Sequence, residues 1–243
     1  MTSMKPSTQK EKSFAVIHDT SVLDTPTPDF FNPEYWKTSN ALVGEAIGRG
    51  SAWCIDSPFG SVVLRQYLRG GWVAKFSRDK YFFSRVENSR PFREFNTLVS
   101  MVEQDLPVPR PVAALCEHHG FLSTGALITG LIPNAKTLAD LLPAKQADTD
   151  RSATFWGRIG KCIRQFHDAG VWHADLNARN IMLDDQLKVF LIDFDRARYT
   201  PGQPVDGEGN LNRLKRSLHK LWPSNDLSAL QSAWVLLEAG YHD

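Results

Sequence analysis

The second half of the chain carries His173-Ala174-Asp175-Leu176-Asn177-Ala178-Arg179-Asn180, followed by Leu191-Ile192-Asp193-Phe194-Asp195. The pattern is H-x-D-x-x-x-x-N and then I-D-F, with 18 residues from Asp175 to Asp193. Between them, Ile181-Met182-Leu183 and Val189-Phe190-Leu191-Ile192 flank Asp184-Asp185, which reads as a small hairpin. A fold built on this stretch has to hold a polar loop against an apolar hairpin. Helical patterns surround it. Leu138, Leu141 and Leu142 mark a short helix. Trp156, Ile159, Ile163 and Phe166 mark a longer one that Gly170 ends. Leu211, Leu214, Leu218 and Leu221 stripe a later helix, and Leu227 to Leu237 form the last.

The first half is strand-rich. Phe14 to Ile17 reads as a short strand, and Leu42 to Ile55 as strand, glycine turn, strand. Val62 to Tyr67 is a third strand, rich in β-branched and aromatic residues. Pro91 suits the first turn of a helix continuing from Phe92 to about Glu103, striped by Phe92, Phe95, Val99 and Val102. Two more strands are expected at Val112–Leu115 and Phe121–Thr129. The expected architecture is α+β in two lobes: a partly loose, proline-punctuated segment over 1–40, a strand-rich lobe over 41–130 and a helix-rich lobe over 131–243.

Composition removes several classes. With 42% hydrophobic and 23% charged residues, 243 residues can fold into an ordinary globular core, which excludes wholesale disorder, collagen and coiled coil. A net charge of +1 gives no argument for nucleic acid as a partner. Cys54, Cys116 and Cys162 contain no C-x-x-C pair, so neither zinc nor a disulfide framework is expected. The polar first dozen residues do not read as a signal peptide. The longest uncharged run, Gly120 to Ala135, falls short of a membrane span.

The two-part motif resembles the catalytic loop and metal-binding motif of the kinase-like phosphotransferases. The resemblance implies that Asp175 orients an acceptor hydroxyl and takes its proton. It implies that Asn180 and Asp193 offer hard oxygens to Mg²⁺ on ATP, and that His173 braces the loop. A turn over the phosphates should lie at Gly48-Arg49-Gly50, which has G-x-G without a third glycine. A cation on the third strand should hold the phosphates: Arg65, with Lys75 as the competing candidate. A helix glutamate should pair with it, Glu94, with Glu87 and Glu103 as alternatives. ATP is expected between the lobes, with a hinge near Thr129 to Asn134. Asn177 stands where protein kinases usually have Lys, and Asp195 where they have Gly; Asp195 is a further candidate for a metal or acceptor contact. Only 48 residues follow Asp195, without an A-P-E triplet, which leaves little for a protein-substrate platform. A small-molecule or sugar acceptor fits better. A kinase of the antibiotic or choline type is the alternative, although its amine acceptors call for an acidic pocket. A dead nucleotide-binding module would be expected to lack Asp175, Asn180 or Asp193. A metal hydrolase built on His173, Asp175, Asp193 and Asp195 would need more histidines than His167 alone supplies.

A narrower resemblance covers most of the chain. Val63-Leu64-Arg65-Gln66-Tyr67, Arg69-Gly70-Gly71, Arg78-Asp79-Lys80-Tyr81, His173 to Ala178 and Ile192-Asp193-Phe194-Asp195-Arg196 are similar to the lipopolysaccharide kinase group that includes the bacterial Kdo kinases. This resemblance implies transfer of phosphate from ATP to the 4-hydroxyl of 3-deoxy-D-manno-octulosonic acid (Kdo) on a lipid A precursor, at the cytoplasmic face of the bacterial inner membrane. Residues 65–93 carry eight Lys and Arg against Asp79 and Glu87, interleaved with aromatics, a mixture suited to an anionic membrane surface. Arg213, Arg216 and Lys220 form a second basic face.

Overall fold

Seven strands of the first half join in one antiparallel sheet: β1 (Pro6–Lys10), β2 (Phe14–Asp19), β3 (Leu42–Glu45), β4 (Ala52–Ser57), β5 (Gly60–Gln66), β6 (Pro111–His119) and β7 (Leu122–Gly130). Their order is β1-β2-β6-β7-β5-β4-β3. The computed structural model describes residues 3–45, 52–67, 86–119, 122–142, 149–223 and 226–243. Polar β1 is fully exposed at one edge, where unpaired backbone meets water. Interior β2 buries Ala15, Val16 and Ile17 in succession, as a strand covered on both faces does. On β5 the alternation is cleaner. Val62 and Leu64 join a core with Phe31, Trp36, Val112 and Ile128. Arg65, one position on, turns to the other face.

That other face carries α2 (Arg90–Glu103), packed on β6 and β7, whereas α1 (Pro33–Thr38) brings Trp36 to the core on the first face. Phe92, Phe95, Leu98 and Met101 of α2 are buried. The approach is close: a Cβ on Gly125 of β7 would lie 2.7 Å from the ring of Pro91.

Residues 1–40 were expected to be partly loose. β1, β2, a 3-10 turn at Pro28–Phe31 and α1 occupy this segment. Its tie is a buried carboxylate. Asp19, fully buried, accepts from the Lys5 backbone N–H (2.9 Å), the Ser21 hydroxyl (2.8 Å) and Arg110 (2.6 Å). Burial alone would raise its carboxyl, but these hydrogen bonds outweigh it and hold the group below the usual carboxylate range.

The chain divides into two compact units, Met1–Gln104 with Pro109–Leu131, and Asp105–Val108 with Ile132–Asp243. The second unit contains β8 (Lys136–Thr137), α3 (Leu138–Leu141), α4 (Thr149–Asp168), β9 (Val171–Trp172), β10 (Ile181–Leu183), β11 (Val189–Leu191), β12 (Arg198–Tyr199), α5 (Glu208–Leu221) and α6 (Leu227–His242). The Asp105–Val108 strap belongs to it. Leu106 and Val108 are buried, and the Pro107 carbonyl accepts the Leu191 N–H of β11 at 3.1 Å.

Helices α4 and α6 touch backbone to backbone. A Cβ on Gly160 would lie 2.0 Å from the Leu237 carbonyl oxygen, and one on Gly240 2.2 Å from that of Gly157. Gly160→Ala is therefore expected to cost about 1–3 kcal/mol by forcing the helices apart. Gly157→Ala, whose Cβ would meet nothing within 4 Å, should instead gain up to ~1 kcal/mol of helix propensity. Urea unfolding of the two variants checks the contrast; equal effects would refute close helix contact as the cause.

Candidate active site

β9 delivers the chain to His173, which is buried and uses both ring nitrogens. Nε2 lies 2.9 Å from the Ile192 carbonyl, and Nδ1 accepts the Asp175 N–H at 3.1 Å. A carbonyl can only accept, so the ring carries its proton on Nε2 and is neutral. Burial lowers its pKa, against the opposing hydrogen bond to Ile192. One imidazole thus ties the Asp175 loop to the hairpin segment before Asp193.

The loop closes on itself. The Asp175 carbonyl accepts from the side-chain amides of Asn177 (2.9 Å) and Asn180 (2.8 Å). The Asn177 side-chain oxygen accepts the Arg179 N–H at 2.9 Å, and the Asn180 carbonyl accepts the Ile192 N–H at 3.0 Å. With its amide nitrogen committed, Asn180 keeps its Oδ1 as the atom to offer a ligand. Asp193 follows β11 with φ 67°, a left-handed conformation unusual for a non-glycine residue. Phe194 beside it is buried, stacked on Phe166 (centroids 5.8 Å apart) and tilted against His173 (4.9 Å). The aromatic anchors the turn that presents Asp193. Asp195 has Arg196 at 3.9 Å.

Helix α5 grips this loop at three places on one face. Asn210, fully buried, donates to the His173 carbonyl (2.7 Å) and accepts the His173 N–H (3.0 Å), as a neighbouring strand would. Ser217 accepts the Ala178 N–H at 3.2 Å. Between them, Arg213 places Nε 2.7 Å and Nη2 2.6 Å from Asp175 Oδ1. The basic face read as Arg213, Arg216 and Lys220 is corrected accordingly: Arg213 is turned to Asp175.

Asn210 Oδ1 also lies 3.1 Å from His167 Nε2, and His167 Nδ1 lies 2.8 Å from the Tyr241 hydroxyl. Burial pushes the His167 pKa below its ordinary 6.5, more than its Asn210 bond and the nearby Asp168 and Asp206 raise it. The unfolded chain therefore binds the proton more readily than the folded one. Stability is full above about pH 6.5 and is lost as pH falls below it, by at most ~1.4 kcal/mol per pH unit for one such group. A chemical-denaturation series from pH 7.5 to 5 is expected to show this fall, and His167→Gln to make it shallower; an unchanged slope in the variant would refute the assignment.

In the first unit, Arg65 pairs with Glu94, which is 2% exposed. The Tyr67 hydroxyl accepts from Arg65 at 2.9 Å and donates to the same carboxylate. Of the alternative glutamates, Glu87 pairs with Lys10 at 2.6 Å and Glu103 is exposed. Gly48, Gly50, Lys75 and most of the basic–aromatic stretch lie outside the described residues. Among the described residues, no helix is long and apolar enough to cross a membrane, and no cluster of three or more His, Cys, Asp or Glu could hold a metal by itself. An Asn and an Asp completed by phosphate oxygens and water still fit Mg²⁺, which is seldom caged by protein alone.

Sequence reasoning missed Tyr67, Asn210 and Ser217. Tyr67 had a signal, since residues 65 and 67 share a strand face with the expected cation. The i, i+3, i+7 spacing of Asn210, Arg213 and Ser217 put three polar groups on one helix face beside the leucine stripe.

Residues 33–234 match the Lipopolysaccharide kinase (Kdo/WaaP) family. The chain belongs to that family. It is thereby a phosphotransferase acting on a hydroxyl group, and its sheet-rich and helix-rich units agree with a kinase-like fold. Similar proteins bear the name 3-deoxy-D-manno-octulosonic acid kinase. That of Stenotrophomonas maltophilia (strain R551-3) is 40% identical over 227 residues, covering 93% of this chain and 89% of the relative. That of Vibrio cholerae serotype O1 is 35% identical over 228 residues (94% and 95%). That of Mannheimia succiniciproducens is 39% identical over 221 residues (88% and 90%).

Proposed function

We propose that this lipopolysaccharide kinase family member transfers the γ-phosphoryl group of ATP to the 4-hydroxyl of a Kdo residue on a lipid A precursor. The observation carrying the reading is the shared network around Asp175, Asn180 and the segment before Asp193: His173 and Asn180 both bond to Ile192, so the base and two hard-oxygen residues belong to one rigid assembly. In the reaction the acceptor oxygen forms a bond to the γ-phosphorus, the bond from that phosphorus to the β,γ-bridging oxygen breaks, and ADP leaves. Asp175 orients the hydroxyl and takes its proton. Asn180 and Asp193 would hold Mg²⁺, which supplies charge neutralisation on the phosphates. Arg65, held by Glu94 and Tyr67, would steady the phosphates. His173 and Asn177 hold the loop's shape.

An anionic, lipid-linked acceptor calls for peripheral attachment to the cytoplasmic face of the inner membrane. Arg216 and Lys220, both exposed on α5, support contact with anionic lipid. The net charge of +1 gives no argument for nucleic acid as a partner. The test is transfer of labelled γ-phosphate from ATP with Mg²⁺ to a lipid A precursor bearing one Kdo, against the same precursor without Kdo. Label that depends on Kdo is the expected result. Equal labelling of both, or of neither while ATP still binds, would discard the acceptor.

A further inference from the structure

The contact between Arg213 and Asp175 is out of place if its purpose is support. α5 already holds the loop at two points by buried or part-buried bonds, Asn210 to His173 and Ser217 to Ala178. The Arg213–Asp175 pair between them is open to water, with side chains 47% and 52% exposed. Exposed ion pairs contribute little net stability. Yet the guanidinium engages Oδ1 twice, on the one carboxylate that has to receive an incoming hydroxyl. An arginine fork poised beside the reacting group, weakly held and not needed for the loop's position, suits a ligand carboxylate. The acceptor of the proposed reaction is a sugar acid, so its carboxylate and its reacting hydroxyl reach the site on the same ring.

We infer that Arg213 recognises the acceptor's carboxylate, and that it gives up Asp175 when it does so. Without acceptor, the guanidinium rests on the base. With acceptor, it turns to the sugar carboxylate and Oδ1 becomes free for the hydroxyl. Acceptor recognition and freeing of the base are then one event, and an uncharged sugar is a poor acceptor. The inference rests on the proposed Kdo transfer.

The experiment compares the Kdo-bearing precursor with its Kdo methyl ester as acceptors for wild type, Arg213→Gln and Arg213→Lys, measuring kcat and KM separately. ATP binding and thermal unfolding serve as folding controls. A charge-assisted fork of this kind corresponds to roughly 10–100-fold. Wild type is expected to prefer the acid over the ester by that factor in kcat/KM. Arg213→Gln should lose the preference by falling on the acid and rising on the ester, since nothing then covers Asp175 Oδ1, and Arg213→Lys should recover part of it. Equal loss on both acceptors would make Arg213 a loop support and overturn the inference while leaving the reaction in place, as would a wild type indifferent to esterification. If Arg213→Gln fails to fold, the wild-type and Arg213→Lys comparison decides by the same criterion. A wild type that binds ATP and labels neither acceptor would overturn the reaction, and the inference with it.

Discussion

Asp175→Ala is expected to lower phosphoryl transfer by about 10²–10⁴-fold, the usual contribution of a positioned general base, with folding and ATP binding intact. The loop's geometry is anchored on the Asp175 carbonyl and N–H, both retained by alanine. The carboxylate itself is half exposed and its bond to Arg213 is a surface one, so its loss should move the thermal midpoint little. Single-turnover transfer, nucleotide titration and thermal unfolding on one preparation separate chemistry from structure. Turnover within a few-fold of wild type would remove Asp175 from the catalytic role. Asn180→Ala makes the contrast, because it also deletes the amide bond to the Asp175 carbonyl and should disturb loop and metal site together.

Arg65→Met should show the reverse pattern, with stability falling first. It removes one partner of the Glu94 carboxylate, which is 2% exposed and keeps the Tyr67 hydroxyl as a donor. Removing one partner of a buried ion pair costs about 3–5 kcal/mol; the low end is expected, since Arg65 itself is 27% exposed. The double variant Arg65→Met with Glu94→Leu removes the buried carboxylate as well and should recover most of the stability without recovering transfer. Urea unfolding followed by the transfer assay distinguishes the two roles. A loss below 1 kcal/mol in the single variant would show that Glu94 does not depend on Arg65. Full activity in the double variant would show that the phosphates do not.

The parts of the fold legible in the sequence were those whose burial is local and periodic. β5, α2, α4, the β10–β11 hairpin and α5 each carry an apolar stripe of the right period, and they stand where that period puts them. What escaped were elements whose support is distant. β1 is a wholly polar strand, stable because it pairs with β2 and because Asp19 meets Lys5 and Arg110, the latter 91 residues away. β8, β9 and β12 are two residues each and exist only as partners of other strands. The contact of α4 with α6 was readable in principle, since Gly157 and Gly160 interrupt a helical run at a spacing of three, a cost that invites a packing reason.

The candidate site divides the same way. Asp175, Asn180, Asp193 and His173 could be named as candidates without coordinates because their motif resembles that of the kinase-like phosphotransferases. The pairing of Arg65 with Glu94 rather than Glu87 or Glu103 turns on which helix position faces the strand, and Lys10 occupies Glu87 instead. The spacing of Asn210 with Arg213 and Ser217 marks a polar helix face, but a buried asparagine that imitates a strand edge looks there like any polar residue on a helix.

The strap at Asp105–Val108 bears on how this protein can be dissected. It is made before the rest of its unit, and its Pro107 carbonyl waits for the N–H of Leu191, synthesised over eighty residues later. A gene fragment beginning at Ile132 would encode the motif yet omit Leu106 and Val108 from the core they fill and the acceptor that β11 uses. Modular swapping between relatives therefore has to exchange non-adjacent pieces of chain together, and deletion mapping by simple truncation would report loss of activity for a reason unrelated to catalysis.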